Sequence, residues 1–432
     1  MMKEYNIAIY PGDGIGREVI PEAVKALTAA SEQCGFTLRY TEFDWGCEYY
    51  DRTGKVVPDD YLDVLCGFDA ILLGSLGDPN HLPDHITLKP LIEIPQRVDQ
   101  YACLRPAVLL PGVSSPLAAR EANDTDMMIV RENSEGESVD VGGFFKHGSE
   151  AGIAVQTALH SRQGVERVLR YGFQLASARR RRLTMATKSN ALKYGMVLWD
   201  EVFAEVQQEY PNVVADKCHV DALAMNFVRC PEKYDVVVAS NLLGDILSDL
   251  AGAISGGLGL VPSACVNPEK RFPSLFEPVH GSALDIAGKN LANPIGAIRS
   301  SAMMLGTWTP FNKLRGLSTL GEAALCFLLC VIGAQGNLIE ALRQAPILLL
   351  LPLIVVAVHG LVVLFAARAM KIDLATTFVT SISCIGGTAS APIVATVYKK
   401  EALIPIGVLL GSLGYAVGNY LGIYLGYFLI AF

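Results

Sequence analysis

Ten cysteines are scattered over 432 residues without a single C-x-x-C pair. Thiol-ligated zinc ribbons and thioredoxin-like redox chemistry therefore have no motif to rest on. Positive charge is also scarce: 35 Lys and Arg face 43 Asp and Glu, a net charge of −8. That balance excludes the clustered basic surface with which proteins hold a phosphate backbone, so no nucleic-acid partner is expected. The one basic block, Arg179 to Arg182, reads as a solvated helix end before a strand. The opening residues carry no apolar signal region, and reduced thiols in a bacterial-type cytosol are expected. Internal repeats and low-complexity linkers are absent. Gly12, Gly14 and Gly16 follow the first strand, but their spacing is not G-x-G-x-x-G, so the dinucleotide fingerprint is missing as well.

Hydrophobic residues make up 51% of the chain, and they are unevenly placed. Up to Gly306 there are 28 Lys and Arg against 39 Asp and Glu; from Thr307 onward there are 7 against 4. No charge occurs from Ala323 to Ile339, Gln344 to Ala367, Leu374 to Tyr398, or Ala402 to Phe432. Four such runs read as transmembrane helices, since about 20 helical residues span the hydrocarbon core. Two different kinds of polymer are joined end to end.

The first part alternates short apolar runs with amphipathic stretches, the pattern of an α/β fold. Strands are expected at Tyr5 to Tyr10, Ala70 to Leu73, Met127 to Val130, Leu183 to Thr187 and Val236 to Ala239, and a helix at Glu18 to Ala30. Ligand-binding groups gather at the C-terminal ends of such strands, which points to Gly74, Arg131, Lys188 and Asn241 onward. In NLLGDILSDL, Asp245 and Asp249 stand four residues apart, so one helix face presents both carboxylates. Oxygen donors suit Mg²⁺ or Mn²⁺ better than Zn²⁺. Taken alone, such a pair is more often a solvated helix face than a cation site.

Seven ordered segments go further: YPGDGIGREVIPEAVKAL, GDPNHLPDHITL, DQYACLRP, VRENSEGE, TKSNAL, NLLGDILSDL and FEPVHGSALDIAGKNLANPIGAI. Over Tyr5 to Leu305 the chain resembles the isocitrate/isopropylmalate dehydrogenase family, and its LPDHITL and ATKSNAL segments are most similar to the tartrate dehydrogenase/decarboxylase and D-malate dehydrogenase branch. The resemblance implies a C-terminally truncated, two-subdomain α/β fold, with one subdomain at about 1–103 and 251–306 and the other at about 104–250. An all-α transmembrane segment at 314–432 follows. The implied activity is NAD-dependent, metal-assisted oxidation and decarboxylation of a 2-hydroxy dicarboxylic acid such as tartrate or D-malate.

Roles follow by position. Arg97, Arg105 and Arg131 fall on the substrate arginines, whose planar forks clamp carboxylates. Asp221, Asp245 and Asp249 fall on the ligands of Mn²⁺ or Mg²⁺, and Lys188, with Asp221 beside it, on the general base, which in this family reaches a partner subunit's site. A homodimer is therefore implied. Cofactor contacts are implied at Asn190, Glu277, His280, Gly281, Ser282, Ala283, Asp285 and Asn293. Asp285 favours NAD over NADP, because a carboxylate accepts from a ribose 2′-hydroxyl and repels a 2′-phosphate. Two positions depart from the family: Ser138 stands where a Tyr protonates the enol, and Cys103 where an Asn precedes LRP.

From about Leu314 the chain resembles an uncharacterised family of multi-spanning membrane proteins, through VIGAQGNL, the His359 segment, SISCIGGTASAP and GVLLGSLGYAVGNYLG. The expected localisation is a multi-pass membrane protein with its dehydrogenase part in the cytoplasm. Cys384 to Pro392 would break a helix at midspan, either to line a polar site or to pack helices closely. The alternative to an active enzyme is a membrane-bound binding or transporter-derived fragment that holds a hydroxy-dicarboxylate without turning it over.

Overall fold

The computed structural model describes residues 4–118, 124–308, 359–369, 372–373, 376–377 and 381. The chain divides into two compact units, Met1–Leu317 and Ser318–Phe432.

The first unit opens with β1 (Glu4–Gly12), α1 (Gly16–Cys34), β2 (Thr37–Glu42), α2 (Cys47–Thr53), α3 (Tyr61–Cys66) and β3 (Ala70–Ser75). Two short helices, α4 (Asp84–Thr87) and α5 (Lys89–Arg97), lead into β4 (Ala102–Val108) and β5 (Asp126–Glu132). A separate ribbon pairs β6 (Gly142–Phe145) with β7 (Ile153–Gln156). Then come α6 (Arg162–Ala178), β8 (Arg182–Thr187), α7 (Gly195–Gln207), β9 (Val214–His219), α8 (Val220–Arg229), β10 (Val236–Ala239) and α9 (Asn241–Ile254). The unit ends with β11 (Pro262–Val266), β12 (Ser274–Pro278) and α10 (Ile295–Trp308).

Ten strands form one sheet in the order β2-β1-β3-β12-β11-β4-β5-β10-β8-β9. Both flanks are parallel, as the alternation of runs predicts, but β12, β11, β4 and β5 meet antiparallel at the centre. All five expected strands and the expected helix are present, β10 with the expected bounds and the others with wider ones. In α1 the buried Val19, Ile20, Ala23, Leu27 and Ala30 follow the helical period, and Gly35 closes the helix in the left-handed region, where its N–H reaches Ser31 O. One core lies under β1, β3 and α3; another lies between β5, β10, α8 and α9.

The basic block is a correction to the sequence reading. Arg179 and Arg180 are not simply solvated: Arg179 Nε and the Arg180 N–H both donate to the buried Asp235 carboxylate at 2.8 Å, and Arg179 also donates to Asp126. The block pins the starts of β5 and β10, because a buried carboxylate demands charged partners.

Among the described residues no helix is long and apolar enough to cross a membrane. The expected spans fall largely outside the described residues.

Asp235→Ala should destabilise the first unit by about 2 kcal/mol, since it removes the acceptor of both Arg179 Nε and the Arg180 N–H. A urea titration of the full chain followed by far-UV circular dichroism measures this, and an unchanged midpoint would refute it.

Candidate active site

Sheet register builds the site. Residues opposite one another in antiparallel strands share a face, and alternate residues along a strand return to it. Cys103 faces Arg131 on one side and Cys265 on the other, Arg105 lies two residues further along β4, and Ser263 faces Glu277. Arg105, Arg131, Cys103, Cys265, Ser263 and Glu277 therefore project from one face of the central strands. Helix α9 covers that face, burying Leu247, Ala251 and Ile254 in the same core as Ile129 of β5.

On α9, Asp245 accepts hydrogen bonds from Arg105 at 2.9 Å and from Arg131. Asp249, one turn later, lies 3.6 Å from Arg105, and Ser248 accepts from the same guanidinium at 2.9 Å. Gly244 permits the Arg131 contact, since a Cβ there would meet the Arg131 side chain at 2.8 Å. Burial works against the Arg105 charge, but Cys103, Asp245 and Glu277 more than offset it and hold it protonated. Burial raises the Asp249 carboxyl, with Arg105 opposing and Asp245 adding to the shift. Burial also raises the Glu277 carboxyl to about 7, with Arg105 opposing. The buried Nε of Arg105 has no hydrogen-bond partner among the described residues.

Asn241, at a strand end where the sequence places ligand-binding groups, and two residues it did not single out, Ser248 and Gln96, extend the cluster. Asn241 accepts from Arg131 Nε at 3.0 Å and donates to Ser138 Oγ at 3.0 Å, and Gln96 Nε2 donates to the Ser138 carbonyl at 3.4 Å. Ser138 thus sits at the edge of the arginine cluster, next to the end of α5. Arg97 is the exposed last residue of that helix, and its side chain has no hydrogen bond or ion pair among the described residues. The signal for Asn241 and Ser248 was their place on the Asp245 helix. Gln96 carried none.

Lys188 and Asp221 stand apart from this cluster. The Lys188 ammonium donates to Asp221 at 2.9 Å and lowers that carboxyl, and among the described residues neither bonds to Asp245 or Asp249. Within one chain, then, the three expected metal carboxylates do not gather, and no group of three metal-ligating side chains occurs among the described residues. Asn190 is exposed on the turn after β8.

The expected cofactor loop follows β12. His280 Nδ1 bonds the Gly281 carbonyl at 3.0 Å, which makes Nδ1 the donor and Nε2 an acceptor. Burial lowers the His280 pKa, and its Nε2 is buried without a partner among the described residues. Ser282 O accepts from the Ile15 N–H at 3.0 Å, so the loop rests on the turn before α1. A Cβ at Gly14, whose φ is +54°, would lie 2.1 Å from Ser282 O. The glycine turn is thus the seat of the later loop. Ala283 adopts a φ of +39°, and Asp285 is exposed. Asn293 accepts from the Ile295 N–H at 3.0 Å and so begins α10. A cavity of about 370 Å³ beside α6, lined by Tyr101, Arg167, Arg170 and Tyr171, contains none of the expected site residues.

A sheet whose central face presents two buried arginines under a helix bearing two carboxylates, with a separate loop after a neighbouring strand, has the build of an α/β dehydrogenase. Residues 6–313 match the isocitrate/isopropylmalate dehydrogenase family, and the chain belongs to that family. It is an oxidoreductase by that membership and by its relatives. It is 51% identical over 308 residues to the D-malate dehydrogenase [decarboxylating] of Escherichia coli, covering 71% of this chain and 85% of that one. It is 48% identical over 305 residues to the tartrate dehydrogenase/decarboxylase of Pseudomonas putida, covering 70% and 84%. The crystal structure of isocitrate dehydrogenase from Methylococcus capsulatus matches at 34% identity with a TM-score of 0.65, covering 73% of this chain and 89% of that one. Residues 287–432 match a family described as a protein of unknown function (DUF819).

The Glu277 carboxyl titrates near 4.5 when unfolded and about 7 when folded, so the folded chain keeps a proton that the unfolded chain releases. Its contribution to stability is present below pH 4.5 and is lost as the pH rises to 7. Relative to wild type, Glu277→Gln should remove on the order of 3 kcal/mol of that decline. Metal-free thermal melts between pH 4.5 and 7.5 measure it, and parallel curves for the two forms would refute it.

Proposed function

We propose that the first part of this chain oxidises a 2-hydroxy dicarboxylic acid of the tartrate or D-malate type with NAD and a divalent cation, Mn²⁺ or Mg²⁺, and releases CO₂. The observation that carries the reading is the pair of buried guanidinium groups, Arg105 and Arg131, on the face beneath Asp245 and Asp249. Arg105, Arg131 and the unpaired Arg97 bind the two substrate carboxylates. Asp245 and Asp249 offer carboxylate oxygens to one cation, and the buried acceptor His280 Nε2 and the exposed Asp285 fit a nucleotide bearing a free 2′-hydroxyl. When bound, the cation polarises the 2-hydroxyl and the neighbouring carboxylate, and NAD accepts the hydride from C2. Lys188 takes the hydroxyl proton.

This reading requires a homodimer, in which one copy's Lys188 and Asp221 complete the other copy's arginine site. Exposed apolar residues support it. On α8, Met225 and Val228 share a face with Asp221 at helical spacing, and on α9 Leu242 and Ile246 flank Asp245. The β6–β7 ribbon exposes Phe144, Phe145, Ile153 and Val155. Apolar surface this extensive is covered by a partner in most soluble proteins.

The C-terminal part is proposed as a multi-pass membrane anchor that leaves the dehydrogenase in the cytoplasm. Support comes from the uncharged runs and from helical residues 359–369, which expose Leu361, Val362, Leu364 and Phe365.

Purified full-length chain with Mn²⁺ and D-malate or tartrate should reduce NAD at least tenfold faster than NADP. Lys188→Ala and Asp245→Asn should each abolish this, whereas co-expression of the two should restore activity, because one site of each mixed dimer keeps both groups. No NAD reduction by wild type would sink the catalytic reading in favour of binding without turnover, and failure of the mixture would sink the shared site.

Ser138 sets a further expectation. A serine hydroxyl is a far weaker acid than a phenol, so protonation of the enol after CO₂ loss should lag behind oxidation. Ser138→Tyr should raise complete turnover and leave NADH affinity unchanged. NADH and CO₂ measured together, with the keto-acid product, decide the point; identical product ratios in both forms would show that another group supplies the proton.

A further inference from the structure

We infer that Glu18 is a positioning residue that fixes the shape of the 282–288 loop from outside it, an inference that rests on the proposed reading of that loop as the cofactor loop. Glu18 lies in the first turn of α1, 270 residues before Gly288, yet its Oε1 accepts the Gly288 N–H at 2.6 Å. At the other end of the loop, the Ile15 N–H just before α1 donates to Ser282 O at 3.0 Å. One short piece of chain therefore grips the loop at both ends. Between the grips, the Ile286 and Ala287 N–H groups both return to Ala283 O, at 3.0 and 3.1 Å, which winds the segment into a single turn with the exposed Asp285 inside it.

That turn is not one the segment would hold unaided. Ala283 sits at φ +39°, a region L-residues other than Asn and Asp seldom occupy, and persists there only where the surroundings dictate it. An acidic residue at a helix start is favoured by the helix dipole alone, and this is the simpler account of Glu18. The second oxygen decides against it. Glu18 Oε2 is buried without a hydrogen-bond partner among the described residues, a cost that a carboxylate serving only the helix start would avoid by keeping both oxygens in water. The side chain is turned from solvent toward the loop. It thereby sets where Asp285 stands relative to a bound nucleotide without touching the nucleotide itself.

The test is NADH binding by the full-length chain, read from nucleotide fluorescence, together with amide hydrogen exchange in a peptide covering residues 282–290. Glu18→Ala should weaken NADH binding about tenfold and speed exchange, in keeping with loss of a charge-assisted hydrogen bond. Glu18→Gln keeps an acceptor for the Gly288 N–H and should recover most of the affinity, with exchange intermediate between the two. Equal NADH affinity of wild type and Glu18→Ala, or unchanged exchange, overturns the positioning role and leaves the cofactor reading standing. A wild-type chain that binds no NADH overturns the cofactor reading and this inference with it. Should Glu18→Ala fail to fold, Glu18→Gln against wild type carries the test: exchange raised severalfold supports the grip, and identical exchange overturns it.

Discussion

Two guanidinium groups taken out of water on adjacent strands must be met by negative charge, and Asp245 meets both. Arg105 and Arg131 come from antiparallel neighbours β4 and β5, and their side chains retain only 11% and 17% exposure. Buried charges survive only when paired, so α9 is obliged to lay its carboxylate face on this part of the sheet. That obligation fixes the helix's rotation and explains Gly244, which removes the Cβ that would hold Arg131 away. It also makes the cluster receptive. Under the proposed reading a dicarboxylate and a divalent cation enter together with no net charge, so the arginines exchange Asp245 for substrate carboxylates while Asp245 and Asp249 turn to the cation.

The two family departures sit differently against this cluster. Cys103 is in the same face as the arginines but fully enclosed, with Ser263 Oγ 3.4 Å away and Cys265 opposite it across the strand pair. It acts through packing and through its influence on the neighbouring Arg105 charge. Ser138 is at the cluster's edge and joins Arg131 through Asn241. Under the proposed reading, a serine hydroxyl instead of a phenol at this edge bears on proton delivery, whereas the enclosed position 103 does not.

Much of this was legible in one sequence, for definable reasons. Periodicity found β1, β3, β5, β8 and β10 because each is buried and apolar over most of its length, and the i, i+4 spacing found the Asp245 face because a helix fixes that geometry without reference to anything else. What stayed hidden depends on contacts between distant segments. β4 holds Arg105 within a strand that also contains a proline, and its antiparallel pairing to β11 has no local signature. The Arg179 to Arg182 block reads as a surface feature until Asp126 and Asp235 are brought beneath it. Gly12, Gly14 and Gly16 lack the dinucleotide spacing, and only the approach of Ser282 shows that they seat another loop. Asp221 and Asp245 illustrate the remaining limit, since residues expected to share a site need not share it within one chain.

The join between the two parts can be placed by the same kind of reasoning. The two family matches overlap over residues 287–313, so similarity alone assigns α10 to both. Packing assigns it to one. Ala297, Ser300, Ser301 and Met304 are buried in the first unit, where α10 packs on α1, β11 and β12. Ser300 Oγ donates to the Glu277 carbonyl at 2.7 Å, and Arg299 donates to Leu260 O at 2.6 Å. A serine buried in a helix is tolerable where its hydroxyl finds a carbonyl, and here the carbonyl found belongs to the strand that carries Glu277 into the arginine row. Helix α10 is therefore part of the support of the candidate site.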